Sequence, residues 1–506
     1  MAMLTIIKSS IVIIVLAAAV MSIFASAVKP AWKSIGQTSV KATAAAFIAL
    51  SLGQIYVAFA ALTVVAVIFI KKRVHAAGLA IFLVITLPAI TFTAMAGSLQ
   101  LVAISTESCV TMGALIAATM WVKGRGAGYS FADLPAFMIM FVLAFISARD
   151  SSLTNVMRVT VQISLSLFLP YYIVKKSIND AEAVRSAVLF VVASALAISA
   201  VAIFESFKAW PMYQAFRNQF GIYGLANVKM RGGMLRAGGP LMNPPLSAAL
   251  LALCFVTTFA ARDLFKSASK HRIILAIVAI GLFSVQSRTG WLGAVAGCVG
   301  VLLSRRGATG MIAPLAALSL TLGGVYGLTL VNERAADLLG FSTDAKNSNE
   351  YRDKLYDRGV ELVHQHPVIG QPPSVVTAQM EDLRQGEGII DFVNGYLGIA
   401  LFSGLTGLAL FAGGIAAQAI ASYRARRVSR ARGWGGLSDL GLGVALCAGA
   451  MFPYIPTDGR VVLTMLLLFA LSNAVASVPA GAGRDPARRR AEPLAKPVDV
   501  PVAMVA

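Results

Sequence analysis

The chain is a series of long apolar runs broken by short polar stretches rich in Lys and Arg. An α-helix needs about twenty apolar residues to cross a bilayer. On that measure the pattern predicts helices over 4–27, 42–70, 76–97, 100–122, 134–148, 155–175, 184–206, 244–262, 271–286, 290–304, 311–331, 393–422, 437–455 and 460–478. The count is twelve to fourteen, because 134–148 is short and 42–70 is long enough to tilt strongly or break. Barrel strands would alternate over about ten residues instead. The predicted fold class is therefore all-α, a polytopic transmembrane helical bundle with one large polar loop. Residues 1–331 are helices with short loops, 332–392 the large loop and 393–478 the last helices. The tail 479–506, rich in Ala, Pro and Arg, reads as disordered and cytoplasmic. No internal repeat is visible, parallel or inverted, which counts against the common transporter architectures.

Composition agrees with the pattern. Of 506 residues 58% are hydrophobic and 13% charged, against about 25% charged in ordinary soluble domains. Only lipid accepts so much apolar surface, provided backbone polar groups are paired within helices.

The net charge is +20. In a soluble protein this would point to nucleic acid; here its position argues otherwise. Lys71-Lys72-Arg73, Lys123 with Arg125, Lys175-Lys176, Arg262 to Arg272, Arg305-Arg306, Arg424 to Arg432 and Arg484 to Arg490 all lie between or after apolar runs. Such clusters mark cytoplasmic loops and set orientation, so the implied partner is the lipid bilayer and no nucleic acid is called for. With fourteen spans all of them fall on one side, with both termini. Segments 28–41, 149–154, 207–243, 287–289, 332–392 and 456–459 then fall outside. Segment 28–41 fits least well, because it carries Lys29, Lys33 and Lys41. Lys8, an apolar core and Ala25-Ser26-Ala27 also give 1–27 the form of a signal peptide. An uncleaved first helix is expected, since the rest of the chain is membrane-embedded.

Cys109, Cys254, Cys298 and Cys447 each lie in an apolar run without metal-ligand spacing, so burial is their expected role. The chain lacks a phosphate-binding glycine loop, a dinucleotide fingerprint and an Asp-x-Asp pair. A cytosolic nucleotide donor is not implied, and neither is a metal or other cofactor.

The unusual charges lie in the outer stretches. Arg231 and Arg236 fall in 207–243, Arg288 sits between two apolar runs in Ser287-Arg288-Thr289-Gly290-Trp291, and Arg352 opens a helical stretch of the large loop. A charge with almost no loop around it lies at the hydrocarbon boundary and usually points into a polar cavity; snorkelling or an ion pair is the plainer role. Arginine's planar fork binds phosphate oxygens bidentately, so several converging on one place would make an anion site. In the loop, Tyr351, Leu355, Gly359, Leu362 and Val363 share one face of a helix over 351–364 that His366-Pro367 ends. His364 and His366 lack further ligands nearby, and a structural role at the helix end outweighs a role as base for His366. At the loop's end Asp391 is either a general base for an acceptor hydroxyl or a helix N-cap.

In order, Arg236-Ala237-Gly238-Gly239-Pro240-Leu241-Met242-Asn243-Pro244, Ser287-Arg288-Thr289-Gly290-Trp291, Arg352, His366-Pro367-Val368-Ile369-Gly370, Asn394-Gly395-Tyr396-Leu397 and Gly404-Leu405-Thr406-Gly407-Leu408 resemble the O-antigen ligase and polymerase family, over about 236–408. The resemblance implies a C-type glycosyltransferase of the bacterial inner membrane with its active face periplasmic. Its donor would be a glycan on undecaprenyl pyrophosphate, and its acceptor a polysaccharide. By the family pattern Arg236, Arg288 and Arg352 fall on basic positions that hold the pyrophosphate; taken with the reading of the residues, the expected catalytic residues are Asp391, Arg288 and Arg352, and the expected substrate-binding residues are Arg236, Asn243, His366, Asn394 and Tyr396. Ligase members usually carry His immediately before the Asn-x-Tyr-Leu element, where this chain has Val393. That favours a polymerase of O-antigen or exopolysaccharide, with a flippase and a chain-length regulator as possible partners. The alternatives are a ligase acting on lipid A-core and a transporter or flippase of lipid-linked sugars.

Overall fold

The computed structural model describes residues 2–70, 73–97, 99–121, 126–149, 152–221, 230–307, 309–333, 336, 343–384, 390 and 392–478. Lys71, Lys72, Lys123, Arg125, Asp391 and the tail from 479 lie outside the described residues. The protein is a polytopic bundle of α-helices with two short strand pairs. Among the described residues seven helices are long and apolar enough to cross a membrane: Met3–Ala27, Phe131–Ala148, Leu153–Ser177, Ala181–Lys208, Gly395–Ala431, Gly435–Tyr454 and Gly459–Ser477. Shorter apolar helices accompany them.

The chain opens with helices α1 (Ala2–Ala27), α2 (Lys33–Leu50) and α3 (Ile55–Phe69). The expected run 42–70 is thus broken at 51–54, and most of the expected loop 28–41 is helix. This corrects the sidedness of that segment. Lys29 N donates to Leu264 O, and Lys266 N to Ala27 O at 3.0 Å, so the end of α1 lies against the basic stretch Arg262 to Arg272. At the opposite end of the bundle, Gln219 Nε2 donates to Leu52 O at 3.2 Å. Lys29 and Lys33 therefore join the other basic clusters. The physical reason is that α2 carries Ser39 and Thr43 turned into the protein, which makes it too polar to register as a span.

A second correction concerns 76–97 and 100–122. Helix α4 (Arg73–Thr86) stops before Pro88, as a residue preceding proline tends to. Strands β1 (Thr91–Ala96) and β2 (Leu99–Ser105) then form an antiparallel hairpin, turning at Gly97 with φ 61°, before α5 (Thr106–Trp121). The hairpin's base is locked from within. Arg460 is 3% exposed. It donates through Nε to Glu107 Oε1 at 2.7 Å, through Nη2 to Thr106 Oγ1 at 2.9 Å and through Nη1 to Leu87 O. A buried charge survives in such a bundle only when paired in this way.

Seven of the remaining helices follow the expected runs closely: α6 (Leu134–Ala148), α7 (Leu153–Ser177), α8 (Ala181–Lys208), α10 (Pro244–Ala260), α11 (Ala268–Ser284), α12 (Arg288–Arg306) and α13 (Ile312–Val331), while the short α9 (Gln214–Gln219) lies within the expected loop 207–243. Strands β3 (Met230–Arg231) and β4 (Met234–Leu235) pair between α9 and α10. The large loop holds α14 (Thr343–Gln365) and α15 (Pro373–Gln379), and α16 (Gly395–Ala431), α17 (Leu440–Met451) and α18 (Gly459–Ser477) complete the bundle. A Cβ on Gly297 of α12 would meet Gly443 O of α17 at 2.9 Å. Small residues thus bring these two helices into close contact.

The large loop is folded onto the bundle. Leu355, Leu362 and Val363 of α14 and Val376 of α15 pack with Leu397, Ala400 and Leu401 of α16. The predicted face of α14 is the buried one, and Gly359 is tight against Leu397, which a Cβ would approach to 2.7 Å. Helix α16 is itself broken at Gly404, φ 68° and ψ −174°. The groups freed by the break bond to the backbone of the His366-Pro367-Val368-Ile369-Gly370 stretch. Leu405 N donates to Pro367 O at 2.7 Å, and Gln371 N to Leu401 O at 2.8 Å. From the end of α6, Arg149 Nη1 donates to Ile369 O at 2.5 Å and to Phe402 O at 2.8 Å.

Candidate functional site

Four arginines meet at the end of the bundle opposite the basic clusters. Arg231 is on β3, Arg236 follows β4, Arg288 is the first residue of α12 and Arg352 lies on α14. Burial, and then the positive charges of Arg231, Arg352 and Arg288, push the Arg236 guanidinium down to about 10. It still carries its proton at neutral pH. Its Nε is buried and has no hydrogen-bond partner among the described residues. Arg231 Nη1 donates to Gln286 O at 3.1 Å, two residues before Arg288. The structure thus draws together Arg236, Arg288 and Arg352 from three distant stretches, and brings to them Arg231, an unusual charge in the sequence that was not among the expected site residues.

The Arg236 segment is held from below. Glu205, near the end of α8, is 1% exposed. Its Oε2 accepts from Gly239 N at 3.0 Å and its Oε1 from Tyr213 N at 3.4 Å. Ser247 Oγ donates to Gly238 O. Glu205 was detectable as an acidic side chain at the end of an apolar run, since such residues are rare in spans and usually have a task. Pro240 O accepts from Ala89 N at 2.8 Å, tying this segment to the hairpin base.

The other expected site residues take local structural partners. Asn243 is the N-cap of α10, with Oδ1 accepting from Leu246 N at 3.3 Å. Asn394 is the N-cap of α16, accepting from Leu397 N at 3.1 Å. The capping position beside Asp391 is therefore occupied, although Asp391 itself lies outside the described residues. Tyr396 donates to Gly449 O at 3.2 Å, and its ring packs against Phe411 and Phe452. It ties α16 to α17. His366 is exposed at the end of α14, in the turn that leads into the α16 break.

The arrangement concentrates permanent positive charge and multiple N–H donors on separate elements around one place. Such a set suits an anion with several oxygens. The folded loop, α14 above all, supplies one wall of that place, and the α11–α12 turn another.

Residues 273–412 match the family model of the O-antigen ligase. No curated protein matches the chain. The matched stretch carries Arg288, Arg352 and the first part of α16, including its break at Gly404. Set on a multi-pass helical frame, this match makes residues 273–412 similar to the O-antigen ligase family and supports a membrane protein of the O-antigen ligase and polymerase type.

Proposed function

We propose that the protein is a polymerase of a bacterial surface polysaccharide, working at the periplasmic face of the inner membrane. It transfers glycan from undecaprenyl pyrophosphate to a sugar hydroxyl of an acceptor. The observation that carries this reading is the convergence of Arg231, Arg236, Arg288 and Arg352. Guanidinium groups gathered from separate segments present several charged donors to one place, and a pyrophosphate offers enough oxygens to engage several of their forks.

In the reaction the acceptor oxygen bonds to the anomeric carbon as the bond from that carbon to the pyrophosphate oxygen breaks. The electron pair leaves with the pyrophosphate, whose growing charge the arginines offset. No metal is needed in this scheme. The acceptor proton passes to a general base. We assign that role to Asp391: its alternative, capping α16, is supported less now that Asn394 holds the cap. Arg288 and Arg352 act on the leaving group, and Arg236 binds it. Glu205 positions the segment bearing Arg236.

Val393, standing where ligase members have histidine, favours the polymerase over the ligase. An elongation assay on purified protein with a lipid-pyrophosphate oligosaccharide separates the readings. A polymerase yields a ladder of longer lipid-linked glycans, while a ligase yields none without a lipid A-core acceptor. Arg288→Ala and Arg352→Ala should each slow elongation by about 100-fold or more. Normal rates in both variants would end the proposal.

A further inference from the structure

Gln286 stands two residues before Arg288, in the turn between α11 and α12, and the arginine site alone does not account for it. The residue is 0% exposed. Both amide atoms, Oε1 and Nε2, are buried without a hydrogen-bond partner among the described residues. Its backbone is left-handed, with φ 52°, a conformation that costs energy in any residue bearing a Cβ. Buried polar groups are almost always paired, and backbone strain concentrates where ligands bind. A glycine would relieve the backbone and a methionine would remove the unmet amide, so a purely structural turn has simpler solutions.

The turn belongs to the arginine site. Gln286 O accepts from Arg231 Nη1 at 3.1 Å. Ala237 N donates to Ser284 O at 3.3 Å, which ties the turn to the segment bearing Arg236. The unmet atoms also specify their partner. Phosphate oxygens only accept, so pyrophosphate could satisfy Nε2 and would leave Oε1 unmet. A group that both donates and accepts satisfies the pair: a sugar hydroxyl does so, and so does an acetamido group through its N–H and C=O.

We propose that Gln286 reads the substituent at C2 of the sugar bonded to the pyrophosphate, a hydroxyl or an acetamido group. This rests on the pyrophosphate-linked donor proposed above. C2 adjoins the anomeric carbon, so its substituent is the sugar's hydrogen-bonding group nearest the leaving group held by the arginines. A site built to hydrogen-bond a substituent rejects the analogue that lacks it, because its own polar atoms are then left unpaired.

The test uses the full-length protein in proteoliposomes with three undecaprenyl pyrophosphate disaccharides. Their first sugar is glucose, N-acetylglucosamine or 2-deoxyglucose. The unaltered protein should favour one C2-substituted donor over the 2-deoxy donor by at least about ten-fold in kcat/KM. Gln286→Met should level that preference while unfolding at the same temperature or higher, since it removes buried unpaired atoms. Gln286→Gly, which frees the backbone and removes the amide, should do the same and serves if the methionine variant fails to fold. A preference kept by either folded variant overturns the inference, and so does an unaltered protein that uses all three donors equally. The proposed function stands or falls separately: it fails if none of the donors is used, or if Arg288→Ala and Arg352→Ala transfer at normal rates.

Discussion

Arg236 serves two opposed demands. Its charge is disfavoured by burial and by Arg231, Arg352 and Arg288, yet that charge is what an anionic donor requires. Arg236→Met keeps the bulk and removes the charge. It should therefore raise the unfolding temperature and lower kcat/KM for the lipid-linked donor, by about 100-fold on the scale of lost electrostatic contacts in active sites. A lower unfolding temperature with unchanged transfer would contradict this account. Glu205 makes the reverse case. Glu205→Leu leaves the amides of Gly239 and Tyr213 without their acceptor, a loss of about 1–3 kcal/mol, while Glu205→Gln keeps one oxygen and should lose less in thermal unfolding. At this scale the sequence exposes Arg236, Arg288 and Arg352, because charge is conspicuous between apolar runs. It does not expose Gln286, whose left-handed backbone and unmet amide arise only from tertiary packing. Asn243 and Asn394, expected as substrate-binding residues, cap α10 and α16 in the structure, a position that asparagine favours.

Among elements, the broken helix α16 is the part that hydropathy least reveals. An apolar run averages over Gly404, and the segment that fills the break comes from the distant turn at 366–371. A Cβ on Gly404 would lie 2.2 Å from Val368 O. Gly404→Ala should therefore unseat that turn and destabilise the fold by roughly 1–3 kcal/mol or more, read by thermal unfolding in detergent. Arg149→Ala removes the donor to Ile369 O and Phe402 O and should cost about 1–3 kcal/mol. Unchanged unfolding in both variants would show that the break needs no such seat. The hairpin at 91–105 was hidden for a related reason. Its residues are as apolar as a span, and only Pro88 and the Gly97 turn mark the departure.

For the whole molecule, most helix positions were readable because lipid leaves few alternatives to runs of about twenty apolar residues. The all-α polytopic fold follows from that constraint. Sidedness at the start of the chain was misread, because α2 is polar along the face that packs inward. The corrected arrangement has a direct consequence. In sealed vesicles, single cysteines at Leu52 and Glu350 should react with an impermeant reagent together, and one at Lys33 should react only after permeabilisation. Equal labelling of Lys33 and Glu350 would restore the expected loop at 28–41. The central claim is that arginines from separate segments hold one anion. A double-mutant cycle between Arg236→Met and Arg352→Met, measured as kcat/KM for a lipid-pyrophosphate donor, tests it most directly. Two groups on one pyrophosphate should couple by at least about 1 kcal/mol, whereas losses that add to within about 0.5 kcal/mol would mean the arginines act on different things.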